Sequence, residues 1–253
     1  MKIVVIGGTG LIGSKVVDLL KQQNHDAIAA APSTGVDTIT GEGLADVMVG
    51  TDIVVDVSNS PSFEEKAATD FFWTAGKNIT AAEVAAGVRH HIALSVVGTD
   101  RLQDSGYFRA KLLQERHIKS APIPYTLVHA TQFFEFLRAI AQFSVIDGAV
   151  RLPPVQFQPM AAQDVARAIV DVALAAPLQG TIEVAGPEIF TLDEPVRRVL
   201  ALDGDPRAVI ADPAAPYFGI AVSDRSLAPD AGARLGTTSL DWWLANASTP
   251  PAR

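Results

Sequence analysis

Short runs of apolar, β-favouring residues recur through the first 130 positions, at residues 2–6 (KIVVI), 27–31, 53–57, 91–96 and 125–130, and each ends on a small or polar residue. Apolar runs of this length without polar alternation predict strands covered on both faces, the environment of a parallel sheet. Between them apolar positions recur at helical spacing over residues 11–22, 42–49, 63–75, 79–88 and 107–119. Strands alternating with helices predict an α/β fold of the Rossmann type, a doubly wound parallel sheet with helices on both faces. Beyond residue 131 the pattern loosens into an aromatic cluster, QFFEFLRAI, and a proline-interrupted stretch, RLPPVQFQP. A helix at 162–175, a strand at 180–186, a helix with Thr191 as its N-cap and a strand at 207–212 are expected there.

The first strand runs straight into Gly7-Gly8-Thr9-Gly10-Leu11-Ile12-Gly13, where a helix starts. Glycines in that context are the dinucleotide fingerprint: without a Cβ the backbone turns tightly and approaches a pyrophosphate, whose charge the free amides and the helix dipole favour. Gly7, Thr9, Gly10, Leu11, Ile12 and Gly13 are therefore candidate cofactor contacts. Gly13 is followed by Ser14-Lys15, the reverse of the order a nucleoside-triphosphate loop needs. At the end of the second strand stands Ala31-Pro32-Ser33 with no carboxylate. A 2′-phosphate meets no repulsion there and Ser33 can donate to it, so NADP is the expected cofactor and NAD the alternative. Val57 and Ser58, closing the third strand, are candidates for backbone contacts to the cofactor; Ser60 or Ser62 capping the next helix is the competing account. The organisation expected is a dinucleotide-binding core over residues 1–132, rejoined by about 155–185, and a small C-terminal substrate-binding lobe from about 133–154 and 186–253.

Composition narrows the chemistry. Cysteine is absent, which removes disulfides and thiolate sites, and the five histidines (25, 90, 91, 117 and 129) show no ligand spacing, so no metal is expected. Net charge is −8 with scattered Lys and Arg, which gives nucleic acid no basic face. No apolar run approaches the ~18 residues of a membrane span, and the start MKIVVIGG reads as a strand without a targeting segment. A cytoplasmic protein is expected. Ser95 lacks the G-x-S-x-G elbow of serine hydrolases. Phe133, Phe134, Phe136, Trp242 and Trp243 are read first as core and second as walls of an apolar pocket.

Tyr107 and Lys111 stand four residues apart in a predicted helix and share a face, while Ser95 lies twelve residues before Tyr107 at the end of a strand, where doubly wound sheets bind ligands. GGTGLIG, ALSVVG around Ser95 and Tyr107-x-x-x-Lys111 resemble the short-chain dehydrogenase/reductase superfamily, and HATQFFEF with QPMAAQDVARAIV resembles its atypical NmrA-like NAD(P)-binding branch. The resemblance implies an NAD(P)H-dependent carbonyl reductase or alcohol dehydrogenase acting on a small carbonyl substrate. Tyr107 would be the general acid/base, Lys111 the cation that lowers its pKa and bonds the nicotinamide ribose, and Ser95 the group that holds the carbonyl oxygen. Two departures stand out. No asparagine lies around residues 67–69, and a Pro-Gly pair is replaced by His129-Ala130-Thr131-Gln132. Thr131 and Gln132 are candidates for the cofactor carboxamide. The resemblance admits a homo-oligomer through the Tyr107 helix. The alternatives are an NAD(P)-sensing regulator without turnover and an epimerase or isomerase that retains its cofactor.

Overall fold

The computed structural model describes residues 1–246; residues 247–253, the end of the expected lobe, lie outside the described residues. The elements in chain order are β1 Lys2–Ile6, α1 Leu11–Gln22, β2 Asp26–Ala30, α2 Leu44–Met48, β3 Ile53–Asp56, α3 Glu65–Ala86, β4 His90–Val96, α4 Gly106–Ser120, β5 Tyr125–Ala130, α5 Leu137–Phe143, β6 Val145–Ile146 and β7 Ala149–Leu152. They continue with β8 Gln156–Phe157, α6 Ala162–Ala173, β9 Gly180–Ala185, β10 Phe190–Thr191, α7 Asp193–Leu202, β11 Val209–Ala211, β12 Arg234–Leu235 and α8 Leu240–Asn246. The main sheet is parallel and seven-stranded, ordered β12-β9-β5-β4-β3-β1-β2. This is the Rossmann-type α/β architecture that the alternation of strands and helices predicts.

By packing, the chain forms two units. The first comprises Met1–Ala130 and Val165–Ile182. Its strands pair in parallel register from β2 through β1 and β3 to β4 and β5. Ile3, Val4, Val5, Val54, Val55, Ile92, Leu127 and Val128 are wholly buried, as strands covered on both faces require. Residues expected to form two helices, 63–75 and 79–88, form the single helix α3. The intervening Gly76 does not break it: a Cβ there would lie 3.1 Å from the His117 ring of α4, so the glycine permits close helix packing. Asn78 of the same stretch donates to the carbonyls of Thr38 and Ile39. Glu64 caps α3, its carboxylate accepting from the Lys66 and Ala67 amides. The expected capping by Ser60 or Ser62 is thereby corrected: each hydroxyl accepts an amide two residues on, before the helix begins.

The second unit comprises Thr131–Asp164 and the described residues from Glu183. It contains α5, α7, α8, the antiparallel pair β8–β10 and the strands β6, β7 and β11. Phe134 is fully buried against Trp243, their rings 5.5 Å apart, and Arg138 grips Asp203 through two 2.7 Å bonds. Trp242 is exposed. Thr191 is paired with Gln156 in β10 and does not cap α7, which Leu192 precedes. Among the described residues no helix is long and apolar enough to cross a membrane.

Candidate functional site

The turn from β1 into α1 is built by backbone contact. Gly7 has φ +76°, and a Cβ on it would lie 3.0 Å from the Ser58 amide nitrogen. A Cβ on Gly13 would lie 2.2 Å from the Gly7 carbonyl oxygen, and one on Gly8 2.6 Å from the Ala29 Cα. Side chains are excluded at all three positions. Helix α1 has no side-chain cap and no acidic residue in its first turn. Its first bond runs from the Ser14 amide to the Gly10 carbonyl, so the amides of Leu11, Ile12 and Gly13 precede the helical ladder and are left for an anion. Ser33 Oγ donates to Thr9 Oγ1 at 3.5 Å, which places two exposed hydroxyls beside this loop. A pyrophosphate carrier fits such a cradle.

The loop after β3 lies against the same glycines. Asp56, the last residue of β3, is buried and accepts from the amide (2.9 Å) and the hydroxyl (2.6 Å) of Ser58. The next residue, Asn59, accepts a 2.9 Å hydrogen bond from the Tyr107 hydroxyl through its Oδ1. Tyr107 stands in the first turn of α4, half-buried among Phe63, Phe72 and Phe108. Helix α4 is drawn tightly to α3 at this end. Arg109 binds Glu65 bidentately at 2.8 and 2.6 Å, and a Cβ on Gly106 would lie 2.4 Å from the Glu65 Cβ.

Tyr107 and Lys111 share a helix face as expected, with Phe72 beneath both: the Lys111 ammonium sits 4.7 Å from that ring. The electrostatics differ from the expectation. Lys111 is 3% exposed and donates to the Leu94 carbonyl (3.0 Å) and to Gln114 Oε1 (2.6 Å). Burial pulls its pKa down to about 8, against the opposing charges of Asp56 and Glu115. Desolvation pushes the Tyr107 phenol up to about 12, only partly offset by its bond to Asn59. The expected lowering of Tyr107 by Lys111 is corrected on this ground. The phenol's bonded partner is a neutral amide, and the ammonium is turned under the helix.

Ser95 is engaged elsewhere. Its hydroxyl, 3% exposed, donates to Glu115 Oε1 at 2.6 Å, and the His129 ring lies 2.9 Å from the same oxygen. Register explains it: Ser95 of β4 is paired with His129 of β5, and both meet the α4 residue Glu115. Burial would raise Glu115, but His129, Ser95 and Lys119 outweigh it and hold the carboxyl at about 2. The Ser95 hydroxyl, expected at a substrate oxygen, is here committed to Glu115. Other histidines also serve the core. His91 is bonded to Glu83 at 2.6 Å and His90 to Thr126 at 2.9 Å. In the second unit, Thr131 Oγ1 and Gln132 Oε1 are buried without a hydrogen-bond partner.

Sequence reading missed Asn59, Asp56 and Gln114. An aspartate closing the apolar run IVVD is the one local sign, because a carboxylate rarely ends a buried strand without a partner.

The fold and the glycine cradle define a Rossmann-type nucleotide-binding protein. A family model described as NAD(P)H-binding matches residues 7–176, and the chain belongs to that family. No curated protein matches the chain. Among solved structures it is similar to MoeE5 in complex with UDP-glucose and NAD, with a TM-score of 0.74 and 17% identity over 97% of this chain and 96% of that one. It is also similar to a short-chain dehydrogenase/reductase superfamily protein from Agrobacterium tumefaciens with bound NAD, at TM-score 0.70 and 18% identity over 98% and 96%. A third is UDP-N-acetylglucosamine 4-epimerase from Bacillus cereus, at TM-score 0.66 and 17% identity over 83% and 85%. At these identities the likeness shows the fold.

Proposed function

We propose that this protein is an NAD(P)H-dependent oxidoreductase that reduces a carbonyl compound, with Tyr107 as proton donor and NADPH as the preferred cofactor. The observation that carries the reading is the Tyr107–Asn59 bond, because Asn59 follows Ser58, whose backbone lies against Gly7 of the cofactor cradle. The bound dinucleotide supplies the hydride. Tyr107, with its pKa at about 12, keeps its proton throughout the neutral range and is therefore a donor, the role reduction needs as charge grows on the carbonyl oxygen. Its single hydroxyl proton serves Asn59 until a carbonyl oxygen takes that place. The amides opening α1 hold the pyrophosphate, and Ser33 with Thr9 offers hydroxyls to a 2′-phosphate.

A second reading, a cofactor-binding sensor without turnover, draws support from the internal bonds that Ser95 and Lys111 make. An epimerase that returns the hydride is a third, in keeping with the epimerase named above. Purified protein is mixed with NADPH or NADH and a panel of ketones, aldehydes, quinones and imines, followed at 340 nm beside Tyr107→Phe. Turnover by wild type and a loss of about 10²-fold or more in the variant are expected. Equal turnover by both would refute the role of Tyr107, and tight NADPH binding without any turnover would favour the sensor.

A further inference from the structure

Between the glycine cradle and the helix that carries Tyr107 runs a buried polar chain that the proposed chemistry leaves unused. Asp56 Oδ1 accepts both donors of Ser58, and Asp56 Oδ2 accepts from Gln114 Nε2 at 3.2 Å. Gln114 Oε1 in turn accepts from Lys111 Nζ at 2.6 Å. The orientation of this amide is dictated by its neighbours. An ammonium only donates and a carboxylate only accepts, so Gln114 must present oxygen to Lys111 and nitrogen to Asp56. Asp56, Lys111 and Gln114 are all at least nine-tenths buried. Burying a carboxylate and an ammonium is costly unless each is compensated, and here one amide dipole connects them. The carboxylate thus grips the Ser58–Asn59 loop on one oxygen and helix α4 on the other.

We propose that Asp56 is a positioning residue. Through Gln114, with Lys111 as its relayed counter-ion, it fixes the cofactor-facing loop to helix α4 so that Asn59 meets the Tyr107 hydroxyl. This assignment rests on the proposed function for its kinetic consequence, but its geometry stands without it. It gives the lysine of the Tyr107-x-x-x-Lys111 pattern a task away from the phenol. Other charged groups stand near this chain: Glu115, bonded to Ser95 and paired with His129 and Lys119, also acts on the Lys111 ammonium, and Asp56 acts on His91, itself bonded to Glu83, yet the hydrogen-bonded link between Asp56 and Lys111 is Gln114.

The chain can be tested by moving its charge one residue. Asp56→Asn keeps an oxygen for Ser58 but turns an N–H₂ toward Gln114 Nε2. Gln114→Glu sets a second carboxylate against Asp56. The double variant Asp56→Asn/Gln114→Glu restores every bond: the introduced amide donates to the introduced carboxylate, which also accepts from Lys111. Two readouts need no turnover. One is NADPH affinity by fluorescence titration; the other is the ¹⁹F spectrum of protein labelled with 3-fluorotyrosine, whose three tyrosine signals are resolved by assigning Tyr107 with Tyr107→Phe. Each single variant is expected to weaken NADPH binding roughly tenfold to a hundredfold, the loss of a charge-assisted bond, and to shift the Tyr107 signal while Tyr125 and Tyr217 stay in place. The double variant is expected to recover both. With a reducible carbonyl in hand, kcat should fall in the singles and return in the double, with KM for the carbonyl unchanged. Singles that match wild type in both readouts, or a double variant no better than the worse single, would overturn the assignment. Should a single variant not fold, folding and recovery by the double still decides the matter. Absence of turnover in wild type would tell against the proposed function alone.

Discussion

Replacing Gly13 by alanine tests whether the cradle is shaped by backbone contact. Alanine is favoured over glycine inside a helix by about 1 kcal/mol, so local propensity alone predicts a gain in stability. The structure predicts the opposite. The new Cβ would lie 2.2 Å from the Gly7 carbonyl oxygen, 2.7 Å from the Gly8 Cα and 2.8 Å from the Gly7 carbonyl carbon, and all three are main-chain atoms with no rotamer to yield. Restoring ordinary contact requires α1 to move about 1 Å away from the turn. Overpacking of this kind costs ~1–3 kcal/mol, and because here it is relieved only by moving backbone the upper half of that range applies, which leaves a net loss of about 1–2 kcal/mol after the propensity gain. The same displacement withdraws the first-turn amides from a pyrophosphate, so NADPH affinity should fall at least tenfold. Gly10→Ala is a comparison for stability alone, since its Cβ would meet the same Gly7 carbonyl oxygen at the milder distance of 3.3 Å. Urea unfolding of the three proteins and NADPH titration of wild type and Gly13→Ala decide it. A Gly13→Ala protein as stable as wild type and binding NADPH within twofold would refute the steric reasoning.

Two further outcomes separate structure from catalysis. Ser95→Ala should cost ~1–3 kcal/mol in urea unfolding by removing a buried donor from Glu115, yet leave kcat within about threefold, far above Tyr107→Phe. A loss of activity as large as that of the tyrosine variant would restore Ser95 to the reacting centre. Glu115, held at about 2 in the fold against an ordinary 4.5, stabilises the protein above pH 4.5 and loses that contribution as pH falls toward 2. The loss amounts to about 3 kcal/mol and should be missing from the acid limb of Glu115→Gln in pH-dependent unfolding. An identical acid limb in both proteins would show that the carboxyl is not held down by its partners.

The strands of the first unit are legible because each is a continuous apolar run, and buried parallel strands need nothing else. Beyond residue 131 the same signal fails for a physical reason. β6, β8, β10 and β12 are two residues long, too short for any periodicity to register, and each exists only through its pairing partner. Helix α3 is misread for a different reason. Glycine within a helical pattern suggests a boundary, and only the His117 ring beside Gly76 shows that the residue serves close packing instead.

For the site, the division falls between what spacing encodes and what only three dimensions bring together. The glycine loop is local, so its pattern shows in seven consecutive residues. The Tyr107 environment is not: Asn59 lies 48 residues from Tyr107, and Asp56 lies 58 from Gln114. Sequence distance from Tyr107 says nothing about which side of β4 the Ser95 hydroxyl takes. Register against His129, together with Glu115 one helical turn beyond Lys111, settles that. The four-residue step from Tyr107 to Lys111 does predict a common face, and Phe72 lies beneath both. A common face does not fix where a long side chain ends, however. Lys111 runs to Leu94 and Gln114 because a buried ammonium must find acceptors, and the phenol keeps its proton because burial disfavours the phenolate, a cost that its bond to the neutral Asn59 only partly offsets. A phenol that holds its proton is the form that the proposed reduction uses.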